Sequence, residues 1–411
     1  MNKKTILSVL AGSVLLSGIT NAAYADLTQM TGTAGIQEQM QGRRGMQQPG
    51  AGMSGGMMPG SGMAGNGMMQ GGAQNMSDSP LEIVTGNAVN TAAELTADIQ
   101  NAAHITVSKT NNQIEINEAG TYIISGSASD GNITVKKGTT GVVLVLEDLE
   151  LTSSTGAALS LNKETEVKII VSGTVTLTDA ENPSDENSTD AAIADAFDGA
   201  ALKAKANSMV CITGSGTLNL IGKAKNGIKG GDEASLIMDG PTVQIAAAND
   251  GINVNYDLSI LSGTVAVSAN DDAIHADHIL TIGRTEGSGP EVFIQQCSEG
   301  LEGTIVNIFG GNITINSTDD AINAAWKDDT TTPSINMTGG TVTVNGQGDG
   351  FDSNGNVNLI GGSAVINVQF RMGEAGVDYD GMYYISDDFQ MNNSGGVSGP
   401  DNMGGMGGRR W

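Results

Sequence analysis

The chain has 411 residues and a formal net charge of −26 at pH 7, with 19 Lys and Arg against 45 Asp and Glu. Such a negative charge excludes nucleic acid and anionic membrane surfaces as direct partners, because both would be repelled. After residue 25 no apolar run approaches the roughly 18 residues needed to cross a bilayer, so no membrane span is predicted.

The first 25 residues have the layout of a secretory signal peptide. Lys3 and Lys4 precede an apolar run from Ile6 to Ile19, and Ala23 and Ala25 place small residues at a cleavage site. We therefore expect cleavage after Ala25 and a secreted, periplasmic or cell-surface protein.

Composition sets the next boundaries. Residues 26–79 contain mostly Gly, Met and Gln, and such a segment cannot bury enough surface to offset its ordering entropy. We predict a disordered stalk there, and a flexible Gly-rich tail at residues 391–411 for the same reason. Residues 80–390 form the predicted folded domain.

Within that domain an acidic residue recurs at a fixed distance from an alternating apolar pair. Each acid is followed by a small residue and then an apolar one, as in Asp272-Ala273-Ile274. The steps between successive acids are 22, 27, 21 and 29 residues, which suits a coil of three short strands and is too short for a propeller blade. The five acids are Asp250, Asp272, Glu299, Asp320 and Asp349. Two looser copies, Asp198-Gly199 and Asn226-Gly227, precede them.

The residues between the acids alternate like strands. Leu258-Ser259-Ile260 leads to Gly263, and Thr264-Val265-Ala266-Val267 leads to the next acid. Because the connections are too short for crossover helices, like strands should stack in parallel at roughly 4.8 Å. The sequence therefore predicts an all-β fold, a right-handed parallel β-helix (solenoid) with disordered Gly- and Met-rich ends.

The two cysteines test this layout. Cys211 and Cys297 are about four layers apart, which would separate their Cα atoms by roughly 19 Å along the axis. A disulfide needs less than about 7 Å. We predict two free, buried thiols.

A stack of carboxylates roughly 5 Å apart repels itself unless a cation neutralises it. Carboxylate, amide and backbone oxygens suit Ca²⁺, which takes about six to eight oxygen ligands. Doubled acids favour an ion, since a second carboxylate otherwise only adds repulsion. The alternative is a solvated acidic edge that holds no ion. The predicted metal ligands are Asp250, Asp271, Asp272, Glu299, Asp319, Asp320 and Asp349.

His275 and His278 could be a transition-metal pair. Residues three apart on a strand face opposite sides, however. We interpret the two as surface histidines without a special role.

Two stretches, residues 122–131 and 142–154, resemble the opening of the calcium-binding parallel β-helix carbohydrate-binding family of bacterial exported proteins. Thr213-Gly214-Ser215-Gly216-Thr217-Leu218, Asn226-Gly227-Ile228-Lys229 and the Asp-Gly-Ile or Asp-Ala-Ile turns are also similar to it. The resemblance covers about residues 84–372. It implies the fold of polysaccharide lyases, calcium between coils, and binding of plant cell-wall polysaccharides, acidic pectic chains included.

Three functions are compatible with this pattern. In the first, a monomeric protein binds a polysaccharide, possibly rich in uronate, with calcium joining protein and glycan carboxylates. Trp326 and Phe351, near the acidic turns, are the candidate sugar platforms, although either could serve packing instead. The second is a structural or adhesive surface protein that calcium only rigidifies. The third, a polysaccharide lyase, is less favoured, because it needs a positioned base.

Overall fold

A computed structural model describes residues 75–86, 90–181, 199–285, 287–328, 330–369 and 374–400. The predicted signal peptide, residues 26–74 of the predicted stalk and residues 401–411 of the predicted tail lie outside this part. The described chain forms 28 strands and two 3₁₀ helices, Thr91–Glu94 and Ile99–Asn101. No helix within these ranges is long and apolar enough to cross a membrane.

The strands wind into a parallel β-solenoid with three faces, as predicted. Face 1 contains β1 (Ala103–Val107), β9 (Met209–Gly214), β20 (Ser334–Met337), β23 (Asn356–Leu359) and β26 (Tyr383–Ile385). Face 2 contains β10 (Thr217–Gly222), β16 (Glu291–Cys297), β18 (Asn312–Ser317), β21 (Thr341–Gly346), β24 (Ser363–Val368) and β27 (Gln390–Asn393). Five strands bend from face 1 into face 2: β3 (Gly120–Ala128), β5 (Val142–Thr152), β7 (Glu166–Thr178), β12 (Ser235–Ala247) and β14 (Leu258–Ser268).

Face 3 is made of short strands. It contains β2 (Gln113–Ile116), β4 (Asn132–Val135), β6 (Leu159–Leu161), β8 (Ala200–Ala204), β11 (Asn226–Gly230), β13 (Ile252–Val254), β19 (Ile322–Ala324), β22 (Phe351–Ser353), β25 (Val377–Tyr379) and β28 (Val397–Ser398). Two strands continue from face 3 into face 1, namely β15 (Ile274–Ile282) and β17 (Leu301–Ile308). Each strand pairs in parallel with its counterpart in a neighbouring coil, as β13 does with β15.

The core is a set of apolar columns that run along the axis. Val243 pairs with Val265, and the column continues through Val292, Ile313 and Val342, all of them at most 2% exposed. In-register stacking brings like side chains within the spacing of neighbouring strands, about 4.8 Å. The period of two in the sequence therefore becomes one continuous interior.

Glycine forms the corner between faces 1 and 2. Gly263 has a φ of 93°, and a Cβ there would lie 2.4 Å from the carbonyl oxygen of Pro241. A side chain would meet both a strained backbone and a backbone clash. This accounts for the glycine that separates the two apolar pairs of each repeat.

The first described residues, 75–86 and 90–102, run along the outside of face 1 and are called the strap. Ser77 donates its N–H to the carbonyl of Tyr383 in the last coil at 2.9 Å, whereas Asp98 donates to Thr121 Oγ1 in an early coil, also at 2.9 Å. The strap therefore spans the length of the solenoid. Residues 75–79 were predicted as part of the stalk, so that boundary is placed too late.

The other boundary, at residue 390, is placed too early. Strands β27 and β28 add their residues to the last coil by pairing with β24 and β25. The chain is folded as far as residue 400, because these strands have partners even though their composition is polar and Gly-rich. Cys211 and Cys297 are both free and buried, as predicted.

A buried asparagine ladder joins face 1 to the strap. Asn336 Nδ2 donates to Asn307 Oδ1 at 3.0 Å, and Asn358 Nδ2 donates to Asn336 Oδ1 at 3.2 Å. Asn307 Nδ2 also donates to the carbonyl of Val84 at 2.9 Å, and Asn358 exchanges two hydrogen bonds with the backbone of Leu81. These bonds satisfy side chains that are at most 1% exposed.

Asn336→Ala should lower the free energy of unfolding by about 1–3 kcal/mol, because the amides of Asn307 and Asn358 lose buried partners. Urea denaturation measures the loss. Asn345→Ala is the matched control, since Asn345 is the middle member of an exposed asparagine ladder and its loss should stay below about 0.5 kcal/mol. Equal losses for the two variants would contradict the role given to the buried ladder.

Candidate functional site

The five acids form one row at the turn between faces 2 and 3. Gly251 donates its N–H to the carbonyl of Asp272 at 2.9 Å, and Ala321 donates to the carbonyl of Asp349 at 2.9 Å. The same bond repeats at every step, so the predicted register is confirmed. The acidic row consists of Asp250, Asp272, Glu299, Asp320 and Asp349.

Asn226 precedes the row and Ala375 follows it. Gly227 donates to the carbonyl of Asp250 at 3.1 Å, and Gly350 donates to that of Ala375 at 3.0 Å. Asn226 in turn pairs with Ala200. The interpretation of Asp198-Gly199 as a copy of the turn is therefore wrong, because that pair lies two positions ahead of the register; Asp198 itself is outside the described residues.

A second polar row, called the polar ladder, lies on face 3, three residues after each position of the acidic row. Registered pairing connects its members, as between His275 and Glu302 or between Asp352 and Asp378. The residue directly before each ladder member points into the core, as Ile274 does before His275. The members are Lys203, Lys229, Asn253, His275, Glu302, Asn323, Asp352 and Asp378. The sequence analysis missed this row, although a polar residue three positions after each acid marks it.

At the start of the acidic row, amides surround the carboxylate. Asp250 is 4% exposed and accepts from Asn253 Nδ2 at 2.7 Å and from Asn249 Nδ2 at 3.0 Å. Lys229 Nζ donates to Asn253 Oδ1 at 2.7 Å, which links two neighbouring members of the polar ladder. Burial raises the pKa of Asp250, and the charge of Asp272 adds to the rise.

His275 lies at the centre of an acidic cluster. Its Nδ1 is 3.1 Å from Asp272 Oδ2 and 2.7 Å from Glu302 Oε2, and its Nε2 is 2.9 Å from Asp277 Oδ1. Burial disfavours the imidazolium, but hydrogen bonds to the three carboxylates raise the pKa of His275 to about 11. Lys327 Nζ adds a second cation, 2.7 Å from Asp277 Oδ1. The chain itself therefore supplies two cations to the three carboxylates of this cluster.

The interpretation of the two histidines as surface residues is wrong for His275, whose side chain is only 14% exposed. The tertiary structure places the acids of neighbouring coils around it, which strand alternation alone does not reveal. His278 is more exposed, and its Nδ1 lies 2.7 Å from Asp257 Oδ1. Its ring stacks on Tyr256 with 5.0 Å between the centroids.

At the end of the row, five carboxylates converge without such a cation. Ligand oxygens of Asp320, Asp349 and Glu374 lie within 4.8 Å of one another, and so do those of Asp349, Asp352 and Asp378. Asp349 belongs to both groups, so the five are called the carboxylate cluster. Within the described ranges, no Lys, Arg or His forms an ion pair with any of them.

The carboxylate cluster is electrostatically strained. Burial is the largest cause, and the neighbouring carboxylates add to it, raising the pKa of Asp349 to about 7 and that of Asp352 to about 8. Burial and nearby acids also raise the pKa of Asp320 to about 6, although Asp349 donates its N–H to Asp320 Oδ1 at 2.6 Å. Bound protons or a cation would relieve this repulsion.

The donor set fits a hard divalent cation. Calcium binds oxygen at about 2.3–2.6 Å, so oxygens around one ion lie within about 5 Å of one another. The two groups of the carboxylate cluster meet this spacing. Of the predicted ligands, Asp320 and Asp349 belong to the cluster; the sequence analysis missed Asp352, Glu374 and Asp378 as partners.

The other predicted ligands have different surroundings. Asp272 belongs to the His275 cluster, and Glu299 Oε2 accepts from Asn323 Nδ2 at 2.8 Å, with a pKa that burial and nearby acids raise to about 7. Asp271 and Asp319, the outer members of the doubled acids, are exposed and belong to none of the clusters of three found among the described residues.

The two candidate sugar platforms differ. Trp326 is 50% exposed, and its Nε1 donates to the carbonyl of Asn354 at 3.2 Å, in the coil that carries Asp349 and Asp352. Phe351 is 0% exposed and packs in the core. Its ring faces inward on β22, so of the two only Trp326 offers a surface to a ligand.

Comparison with known proteins gives one family. The family model described as "Carbohydrate-binding domain-containing protein" matches residues 110–281 and 287–399, which is more than half of the chain. No curated protein matches. One solved structure, the polysaccharide lyase-like protein from C. thermocellum in a gadolinium derivative, is similar over 71% of this chain and 99% of that chain, with 20% identity and a TM-score of 0.40.

In the presence of a chelator, the free energy of unfolding should fall by at least about 2 kcal/mol between pH 5 and pH 8. The reason is that Asp320, Asp349 and Asp352 keep protons in the folded state that the unfolded chain has already released near pH 4, so stability is lost as pH rises through about 6 to 8. Urea denaturation across this range measures it. Asp352→Asn should flatten the fall, whereas Asp387→Asn, at an exposed site, should not; a rise in stability toward pH 8 would contradict the assignment.

His275→Gln should destabilise the protein by about 3 kcal/mol or more, because three partly buried carboxylates lose their shared cation. Thermal and urea unfolding at pH 7 measure the change. His278→Gln is the matched control and should cost about 1 kcal/mol, since it loses one hydrogen bond and one ring contact. A His275 variant as stable as the control would show that the cluster does not need the imidazolium.

Proposed function

The chain belongs to the carbohydrate-binding domain-containing family, and from that premise we propose that it is an exported, calcium-dependent carbohydrate-binding protein. The proposed ligand is an acidic, pectin-like chain or another cell-wall polysaccharide. The observation that carries the proposal is the carboxylate cluster, which gathers five acids and, among the described residues, has no ion-paired cation. The segment at residues 1–25 supports export, since it has the layout of a signal peptide.

Calcium would explain how a protein with a net charge of −26 holds an acidic glycan. Asp320, Asp349, Asp352, Glu374 and Asp378 are the residues that would hold the ion. When bound, calcium supplies positive charge and room for further oxygen ligands, such as uronate carboxylates. The chain's own part is to fix the carboxylates in neighbouring coils and to keep them partly buried, which strengthens their hold on a cation.

Trp326 supports the same face as the sugar-binding surface. Its half-exposed ring is tied through Asn354 to the coil of Asp349 and Asp352. A flat indole can pack against the C–H face of a pyranose while its N–H stays hydrogen-bonded. We propose that the ring and the carboxylate cluster contact the same glycan chain.

A second candidate is a structural or adhesive protein whose calcium only rigidifies the solenoid. Burial of Asp349, which is 8% exposed, favours it, because an ion there would join neighbouring coils without touching a glycan. Lyase activity is less favoured. Arg284 and Lys327 are each held by an aspartate at 2.7 Å, and Arg371 lies outside the described residues.

Calorimetric titration of the mature chain with polygalacturonate, in calcium and then in chelator, tests the proposal. We expect binding only with calcium, and at least about a tenfold loss for Asp352→Asn, since it removes a charge from the cluster. Trp326→Ala should weaken binding about fivefold or more while the calcium-induced rise in melting temperature persists. Asp387→Asn is the control and should change neither.

The remaining outcomes separate the alternatives. A melting temperature that calcium raises, with no glycan bound in any condition, identifies the rigid structural protein. Accumulation of unsaturated uronate, followed by its ultraviolet absorbance, identifies a lyase. Glycan binding that a chelator leaves intact contradicts the calcium bridge.

A further inference from the structure

A lysine, an asparagine and an aspartate meet on face 3, where the acidic row begins. Lys229 of β11 and Asn253 of β13 are registered partners in neighbouring coils. Lys229 Nζ lies 2.7 Å from Asn253 Oδ1, and Asn253 Nδ2 donates to Asp250 Oδ2 at 2.7 Å. The side-chain amide is therefore held between an amine and a carboxyl group.

The amine and the carboxyl group are both buried. Lys229 is 6% exposed and Asp250 is 4% exposed, although lysine and aspartate are the residue types least often found inside a protein. Burial disfavours the charged form of each group, and transfer of one proton from Nζ to the carboxylate removes both charges. The neutral amine that results is a nucleophile, which an ammonium group is not.

The amine lies close to the carbon that it would attack. Because a carbonyl bond is about 1.2 Å long, the 2.7 Å contact with the oxygen places Nζ about 3.5 Å from Asn253 Cγ at an ordinary hydrogen-bond angle. Reacting atoms held at about 3–3.5 Å gain a large effective concentration. Both residues lie on strands that pair in register, so the sheet holds them in this arrangement.

The carboxyl group of Asp250 is oriented toward the same amide. Its Oδ1 accepts from Asn249 Nδ2 at 3.0 Å and from the N–H of Asp272 at 3.3 Å. These contacts direct Oδ2 to Asn253. Asp250 was expected to hold calcium, but it belongs to none of the potential metal-binding groups found among the described residues. Its surroundings suit a group that moves a proton.

We propose that Lys229 and Asn253 form an intramolecular isopeptide bond, with Asp250 as the catalytic residue. Asp250 takes one proton from Nζ, and Nζ attacks Asn253 Cγ. Asp250 then gives its proton to Nδ2, the Cγ–Nδ2 bond breaks, and this nitrogen leaves as ammonia. The second proton that Nζ loses returns to Asp250. An amine and a carboxamide thus give a secondary amide and ammonia, with no oxidation and no co-reactant.

A second amide competes for the same amine. Lys229 Nζ also lies 2.7 Å from Asn255 Oδ1, and Asn255 Nδ2 donates to Asp232 Oδ1 at 3.2 Å. Asp232 is exposed, however, so water stabilises its charged form and competes for its hydrogen bonds. The buried carboxyl group of Asp250 therefore favours Asn253 as the residue that reacts.

Another layer of the solenoid repeats the amide and the acid without the amine. Asn323 Nδ2 donates to Glu299 Oε2 at 2.8 Å, much as Asn253 donates to Asp250. The registered partner of Asn323 in the preceding coil is Glu302, which is not a nucleophilic amine. This layer cannot form the bond and is a matched control within the same chain.

The bond would join the coil of β11 to the coil of β13. Cys211 and Cys297 are both free, so no disulfide joins the coils. A covalent link between residues 229 and 253 restricts the unfolded chain, as a disulfide does. The proposal is independent of the proposed function, since neither calcium nor a glycan takes part in it.

Mass spectrometry of the denatured mature chain tests the proposal. We expect a mass one ammonia below that of the sequence, and cleavage before aspartates should leave residues 250–256 joined to the fragment that contains Lys229. Lys229→Met, Asn253→Ala and Asp250→Asn should each restore the full mass. These variants should also melt several degrees below wild type, because they lack the link. Asn323→Ala should keep the loss of ammonia.

The other outcomes overturn the proposal, and the first two need no variant. A wild-type chain that keeps its full mass after prolonged incubation in the folded state rejects the bond. Loss of ammonia that mild alkali reverses identifies a succinimide instead, since an isopeptide bond survives this treatment. Fragments joined through Asn255 reject the choice of Asn253, and a bond that forms in Asp250→Asn rejects the role of the carboxyl group.

Discussion

In-register parallel stacking is the constraint on which the rest of this structure depends. Each residue lies over its counterpart in the next coil, at a spacing of about 4.8 Å. Apolar counterparts such as Val243 and Val265 gain from this, because they form a continuous interior. Amide counterparts such as Asn307 and Asn336 gain as well, since each amide both donates and accepts. Like charges, and the carboxylates above all, are the groups that the same register penalises.

The groups that face the mutually repelling carboxylates differ along the length of the acidic row. Asn253 supplies amide donors to Asp250 at the first layer. His275 supplies a cation at the second, where it serves acids from two coils. At the last layers the described chain supplies backbone N–H groups but no ion-paired cation, and the pKa values rise most there, to about 8 at Asp352. The end of the row is therefore where a bound proton or cation would relieve the most repulsion.

The contacts between the strap and face 1 also depend on which side chains stack in register. Where face 1 carries asparagines or Lys168, the strap is bonded to the sheet; where it carries Ser259 and Thr281, a cavity opens. The length of one side chain per coil therefore decides where face 1 is hydrogen-bonded to the strap.

Much of the architecture could be predicted because the amino-acid sequence itself repeats with each coil. The period of two, the glycines and the spacing of the acids led to the solenoid, to its registered acidic row and to two free cysteines. The polar ladder could have been found by reading three positions past each acid, as from Asp349 to Asp352. The partners of His275 could not be predicted from the sequence, because one of them, Glu302, lies in the next coil.

The sequence by itself determined the repeat, the side of each strand that is buried and the position of an acid at one turn, since all of these follow from local period and residue type. Only the tertiary structure decided which acids meet. Glu374 joins Asp320 and Asp349 through the stacking of coils whose loops differ in length, and local pattern does not encode such offsets. The course of the strap also depends on the tertiary structure, because residues 75–86 are held by partners hundreds of positions later in the chain.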